Sequence, residues 1–324
     1  DEPAMVEFFE SLGAFRAVVE ATASYEWFVR LVEPLAEKVL LAHPKRLRVI
    51  AESTRKSDRL DAFVVAECLA RDMIPTSYRP TPRQRDHRRL VRQRDSVQRR
   101  ITSVKNRMRR IMSHYNADRR DLFSQAGLAS LKDFGFSPAD RFAISQMAGE
   151  FAFHREQLHE ANRQLKTCTR AAPLREAQLR ELLHSIPGVG FVTAEVVLAE
   201  IADIDRFDSQ KQVVSYAGLS PGQRESDGRL KELHIEKTGS KHLRWILVEA
   251  AWRLVRHSPR WRAIYENLKR RLRAKKAIVA VARRLLCLMT AIMKSGQPDS
   301  ALHTGNCSGS ANGDRPARPP VTSP

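Results

Sequence analysis

The chain has 324 residues, with 56 Lys and Arg against 37 Asp and Glu and a formal net charge of +19. An excess of that size calls for a polyanionic partner; with no apolar run of membrane-spanning length and no signal peptide visible, the partner expected is nucleic acid and the setting cytoplasmic. The four cysteines (Cys68, Cys168, Cys287, Cys307) lie far apart with no CxxC pair, which argues against a disulfide framework or a zinc site.

Residues 1–12 read as a short helix. Residues 14–21 (AFRAVVEA) read as a buried strand ending at Glu20, with Thr22 and Ser24 as turn or N-cap residues. Tyr25, Phe28, Leu31, Val32 and Leu35 fall at helical spacing, and residues 38–42 (KVLLA) form a second strand closed by His43-Pro44. Strand, helix, strand and helix with short links predict an α/β unit with parallel pairing. The next stretch, residues 55–62 (RKSDRLDA), sets Asp58 and Asp61 three apart just inside a helix, so both carboxylates point to one side. Leu60, Phe63, Val64, Cys68 and Leu69 are expected to anchor that helix. Two carboxylates amid Arg55, Lys56 and Arg59 suit Mg²⁺ facing a phosphate backbone. An acidic pair is also a common response to the helix dipole, and both readings stay open.

From Pro82 the composition turns basic, with fourteen Lys and Arg against four Asp over residues 82–121. Leu90, Val97, Ile101, Val104, Met108 and Ile111 trace a heptad seam on one long helix. Its partner is expected over residues 137–171, with Phe142, Met147, Phe151, Leu158 and Leu165 facing inward. The arginines outside the seam (Arg88, Arg92, Arg99, Arg107, Arg109) form a one-signed face suited to nucleic acid. In residues 182–201 a short helix runs into Ile186-Pro187-Gly188-Val189-Gly190 and a second, apolar helix follows. Gly188 and Gly190 permit a tight turn with backbone N–H groups at a helix start, a geometry that holds phosphate and resembles a helix-hairpin-helix. A polar loop is expected over residues 222–231, a helix over 245–255, and a basic helix pair over 259–273 and 275–294. The remainder is rich in Gly, Ser and Pro and reads as disordered.

The order of these motifs resembles a known family. Glu20-Ala21-Thr22 after a strand, Lys56-Ser57-Asp58 with Asp61-Ala62, the basic coiled coil, Ile186-Pro187-Gly188-Val189-Gly190, and Tyr216-Ala217-Gly218-Leu219 followed by a Ser-Asp-Gly loop and Lys237-Thr238-Gly239 occur as they do in the DEDD-type transposases of bacterial insertion sequences. That is the insertion sequence 110 family, which includes bridge-RNA-guided serine recombinases. The resemblance covers roughly residues 1–295.

It implies an RNase H-like, RuvC-like N-terminal domain (1–80), a basic helical coiled coil (81–175) and a helical transposase domain with a helix-hairpin-helix (176–295); the tail expected to be disordered (296–324) lies beyond it and lacks family features. Glu20, Asp58 and Asp61 match three members of a Mg²⁺-binding Asp-Glu-Asp-Asp tetrad. Ser226 matches the family's nucleophile, flanked by Gly228, Lys237 and Gly239, with Arg244 in the expected Leu-Arg pair; Lys237 and Arg244 join the residues expected on DNA or guide RNA. The strand bearing the first Asp has no counterpart upstream of Glu20, so an N-terminally shortened copy is expected. A homo-oligomer is expected as well, since recombination joins several strand ends. The rival readings are a RuvC-like nuclease using water, which makes no covalent adduct, and a decayed transposase that only binds nucleic acid.

Overall fold

The computed structural model describes residues 1–300 except 23, 45, 48–57, 227–228 and 236–238; the side chains of residues 58–61 and 223–234 also lie outside the description. Two compact units divide the chain, Asp1–Thr81 and a second that begins at Pro82.

In the first unit, α1 (Glu2–Ser11) precedes β1 (Arg16–Glu20), α2 (Tyr25–Val32), β2 (Lys38–Ala42) and α3 (Asp58–Ala70). The strands pair in parallel, in register from Arg16↔Lys38 to Glu20↔Ala42. Their apolar middles, Val18 and Leu40 among them, pack against a small core of Ala42, Leu47, Cys68, Leu69 and Ile74. The stretch after α3 returns along β2, with the Ser77 N–H donating to Leu41 O at 2.7 Å and the His43 N–H to Pro75 O at 2.8 Å. Arg16 ties strand to helix: its guanidinium donates to Asp72 at 2.8 Å and to the Leu69 carbonyl at 3.1 Å. Phe63 departs from expectation, being 68% exposed. The inward face of α3 follows the pairs 64/68 and 65/69, and Phe63 sits a further 100° or so around the helix.

The second unit opens with α4 (Pro82–His114) and α6 (Pro138–Arg170), joined through the short α5 (Gln125–Ala129). Their contacts run in opposite order along the two helices and make the pair antiparallel. Arg83 meets the Cys168 carbonyl at 2.8 Å, Arg94 meets Asn162 at 2.8 Å, Arg107 meets Glu150 at 2.5 Å and Tyr115 meets Asp140 at 2.6 Å. Val97, Ile101, Val104 and Met108 are buried as the seam requires. At its two ends Val91 and Met112 are buried in place of Leu90 and Ile111, because α4 changes partners there. Val91 packs with the helices after Leu174, and Met112 packs under Leu122, Leu131 and Phe136. On α6 the inward residues include Ile144, Met147, Phe151 and Leu165. Phe142 faces outward at 67% exposure, since it stands about 200° around the helix from Ile144.

The rest of this unit comprises α7 (Leu174–His184), α8 (Phe191–Ile201), α9 (Gln210–Tyr216), β3 (Pro221–Ser226), β4 (Arg229–Ile235), α10 (Lys241–His257), α11 (Pro259–Arg271) and α12 (Ala274–Ser295). Helix α8 is buried from Thr193 to Ile201, apolar nearly all round as a core helix must be. Around it Leu183, Val213, Leu247, Leu254, Val281 and Leu285 close one continuous core. The expected polar loop is instead an antiparallel hairpin, β3 with β4, in which Ser226 pairs with Arg229. Asp227-Gly228 is a strong hairpin signal in sequence, masked by the polar residues on both sides. The helix expected from residue 245 begins at Lys241, capped by Ser240 Oγ, which accepts from the Leu243 N–H at 3.2 Å. The tail expected to be disordered from residue 296 begins with a docked turn: Asp299 is buried and its N–H donates to Ser185 Oγ at 2.9 Å.

Candidate active site

Glu20 is the last residue of β1, exposed, at the carboxyl end of the parallel pair, where α/β sheets gather their ligands. Among the described residues no ion pair engages it. Asp58 begins α3 and Asp61 follows one turn later; their side chains lie outside the description. Carboxylates are hard oxygen donors of the type that Mg²⁺ accepts.

Ser226 ends β3, next to the turn of the hairpin, with its side chain likewise outside the description. The root of the hairpin is described in detail. On the β3 side, Gly218 adopts φ +66° and the Leu219 N–H donates to Val214 O at 3.0 Å. The Ala217 carbonyl accepts from Arg244 at 3.2 Å, so this expected nucleic-acid residue braces the Tyr-Ala-Gly-Leu turn. On the β4 side the chain returns through Gly239 and Ser240. The Ser240 N–H donates to Tyr216 O at 3.0 Å, and a Cβ at Gly239 would lie 1.9 Å from that same oxygen. Tyr216 is itself held, its hydroxyl donating to the Glu200 carbonyl at 2.9 Å and its ring lying under Arg206.

Below the root sits Glu200, 0% exposed, at the end of α8. Arg92 grips its carboxylate with two bonds, 2.8 and 3.0 Å, and Ser240 Oγ donates to it at 2.9 Å. Burial alone would raise the Glu200 carboxyl; the Arg92 fork, with Ser240 adding to it, holds it below the usual carboxylate range. Arg88 caps the same helix end, donating to Ala199 O at 2.9 Å and Glu200 O at 3.2 Å. A second link joins α4 to the root, with His242 Nδ1 2.7 Å from Asp95, which also accepts from Arg99 at 2.7 Å.

Sequence reasoning assigned Arg88 and Arg92 to nucleic acid; the structure engages both in mooring α4 to α8. Arg107 and Arg109 pair with Glu150 and Asp118 on the surface, and Arg99, itself exposed, pairs with the buried Asp95. The Gly188 turn stands as expected between α7 and α8, with Gly188 at φ +84°, Gly190 as the N-cap of α8 and both exposed. Lys237 lies outside the described residues.

One polar cluster has no counterpart in the sequence reading. His87, Glu176 and Glu195 bring three metal-ligand atoms within 4.8 Å of one another. Glu195 is 0% exposed, with His87 Nε2 2.8 Å from one oxygen and Arg180 donating to both. Glu176 accepts from Arg180 at 2.9 Å and from Arg83 at 3.1 and 3.2 Å. Burial would raise the Glu195 carboxyl, but the close approach of His87 and the hydrogen bonds from Arg180 hold it low. Two guanidinium groups already neutralise the two carboxylates, so the cluster is a closed ion network joining α4, α7 and α8. Glu176 and Glu195 stand 19 apart on different helices, a spacing no local pattern reveals.

Comparison with known proteins bears on the family. A model described as "Transposase IS116/IS110/IS902 family" matches residues 180–266, which carry the α7–α8 turn, the hairpin and α10. A second transposase model, of the DEDD type, matches residues 3–117. The class so defined is a transposase, and its DEDD type implies a divalent metal. The transposase for insertion sequence element IS1111A of Coxiella burnetii is 26% identical over 245 residues, covering 74% of this chain and 66% of its own length. That for IS1328 of Yersinia enterocolitica is 24% identical over 257 residues, 76% of this chain and 73% of the relative. A pilin gene-inverting protein of Moraxella lacunata is 24% identical over 294 residues, 88% and 82% of the two chains. The chain therefore spans about two thirds to four fifths of the length of these relatives. It belongs to the IS110 family of transposases. Among the described residues no helix is long and apolar enough to cross a membrane.

Proposed function

We propose that this chain cuts and joins DNA strands at the ends of an insertion element by a covalent serine route, with a guide RNA selecting the sites. In this reading the Ser226 hydroxyl attacks a DNA phosphodiester. The Ser Oγ–P bond forms, the P–O bond to the leaving sugar breaks, and the leaving oxygen takes up the proton that the serine gives up. Religation reverses these bonds on another strand end. Glu20, Asp58 and Asp61 of a RuvC-like domain would hold Mg²⁺, which when bound supplies positive charge against the phosphate oxygens.

The observation that carries the reading is the hairpin. Ser226 is the last residue of β3, a strand whose root is fixed to a buried carboxylate network. A relative named as a pilin gene-inverting protein is in keeping with strand exchange. The proposed nucleic-acid face is the exposed side of α4, at Arg99, Arg107 and Arg109, with the Gly188–Gly190 turn and Lys237 as further backbone contacts. The Arg107–Glu150 and Arg109–Asp118 pairs face solvent, where such pairs are worth only ~0–1 kcal/mol each, so phosphates can replace those carboxylates at little cost. Assembly as a homo-oligomer completes the proposal.

The test is a denaturing gel of the protein incubated with Mg²⁺, cellular RNA and element-end DNA. A covalent protein–DNA band lost in Ser226→Ala supports the serine route. DNA cleavage without a covalent band would instead assign hydrolysis by water.

A further inference from the structure

Ser240 does two things at once. Its Oγ accepts from the Leu243 N–H as the N-cap of α10, and it donates to buried Glu200 at 2.9 Å. The backbone on either side is equally committed: Gly239 lies against the Tyr216 carbonyl, and His242 reaches Asp95 on α4. The chain that leaves for β3 through Tyr216–Leu219 and the chain that enters α10 through Gly239–Ser240 therefore meet over a single anion, Glu200, which Arg92 holds from the other side.

We propose that Glu200, acting through Ser240, is a positioning residue that sets the direction in which the β3–β4 hairpin leaves the core. This rests on the reading of Ser226 as nucleophile and deepens it. The physical case is one of unequal costs. A buried carboxylate deprived of a donor costs far more than an average hydrogen bond supplies, so the Ser240 hydroxyl has one allowed place. The hairpin grows from the adjacent backbone, and a small rotation there is magnified at the far end, where Ser226 lies. Only a side chain that both accepts and donates can serve the Leu243 N–H and Glu200 together. Threonine does so. Aspartate caps a helix equally well but brings a second anion against Glu200.

The experiment compares Ser240→Thr and Ser240→Asp in the full chain, reading single-turnover adduct formation, affinity for the same DNA and amide hydrogen exchange. Ser240→Thr is expected to keep the wild-type rate. Ser240→Asp is expected to slow adduct formation on the order of 10²-fold, the scale of a 1 Å misplacement, with DNA affinity little changed. Faster exchange should be confined to residues 221–235, with α10 and α12 still protected. Wild-type exchange in the hairpin of Ser240→Asp would overturn the proposal, as would equal losses in the threonine variant. An absence of adduct in the wild type, or an adduct that survives Ser226→Ala, would instead fail the nucleophile reading; hydrogen exchange then still decides whether Glu200 fixes the hairpin.

Discussion

Replacing Gly239 by alanine tests the hairpin root most directly. The added Cβ would lie 1.9 Å from the Tyr216 oxygen, 2.6 Å from its carbonyl carbon and 2.7 Å from the Gly218 nitrogen. All three are backbone atoms, so no flexible side chain can yield. A carbon–oxygen contact needs about 3.3 Å, which forces a shift of roughly 1.4 Å. Overpacking of this kind costs about 1–3 kcal/mol. The same shift breaks the Ser240 N–H bond to Tyr216 and pulls Ser240 from Glu200, leaving a buried acceptor short of a donor for roughly another 1–3 kcal/mol. A loss near 4 kcal/mol should lower the thermal midpoint of the second unit by roughly 10 °C. The control is the same chemical change at Gly149, mid-helix in α6, where nothing lies within 4 Å of the added carbon. There alanine should stabilise, by about 0.5–1 kcal/mol. Scanning calorimetry on both variants reads the signs. A Gly239→Ala midpoint within about 2 °C of wild type would refute the close approach on which the root depends.

Other outcomes follow from the same interactions. Glu195 and Glu200 both titrate below the ordinary glutamate value of about 4.3, so their contribution is fully present above it and is lost as pH falls through their lowered values. The urea midpoint should therefore drop as pH goes from about 5 toward 3, and Glu200→Gln should be less stable at pH 7 with a shallower pH dependence. Met108→Ala, in the sealed α4–α6 seam, should cost about 2–5 kcal/mol in urea denaturation. Arg100 and Arg110 are exposed on α4, and changing either to Gln should lower the slope of log affinity against log salt by about one while leaving stability alone. Arg92→Gln should do the reverse, losing stability with little change in slope; equal slope changes at all three positions would contradict the division between the arginine bonded to Glu200 and those that face solvent.

The parts of the fold with local causes were legible in the sequence. Strand Lys38–Ala42 is a continuous apolar run, α6 begins where Ser137-Pro138 marks a cap, and the seam from Val97 to Met108 follows its heptads. The hairpin was missed because its strands are polar and only Asp227-Gly228 announced it. The roles of Arg88 and Arg92 were missed for a different reason. An arginine looks the same in sequence whether it faces phosphate or a buried glutamate, and its partner, Glu200, is 108 residues from Arg92. Glu195 and Glu200 were legible only as two acids in an otherwise apolar helix, where burying a carboxylate demands a cationic partner that the local sequence does not name.

That separation along the chain bears on how the protein is made. Helix α4 leaves the ribosome 93 to 112 residues ahead of the groups that Arg83, Arg88 and Arg92 will serve, the Glu176 and Glu200 carboxylates and the carbonyls at the end of α8. At about 5–20 residues per second the interval is roughly 5–20 s. Throughout it the nascent chain carries a long run of uncompensated arginine beside ribosomal and messenger RNA, and folding of α8 has to withdraw those side chains from whatever polyanion they have met.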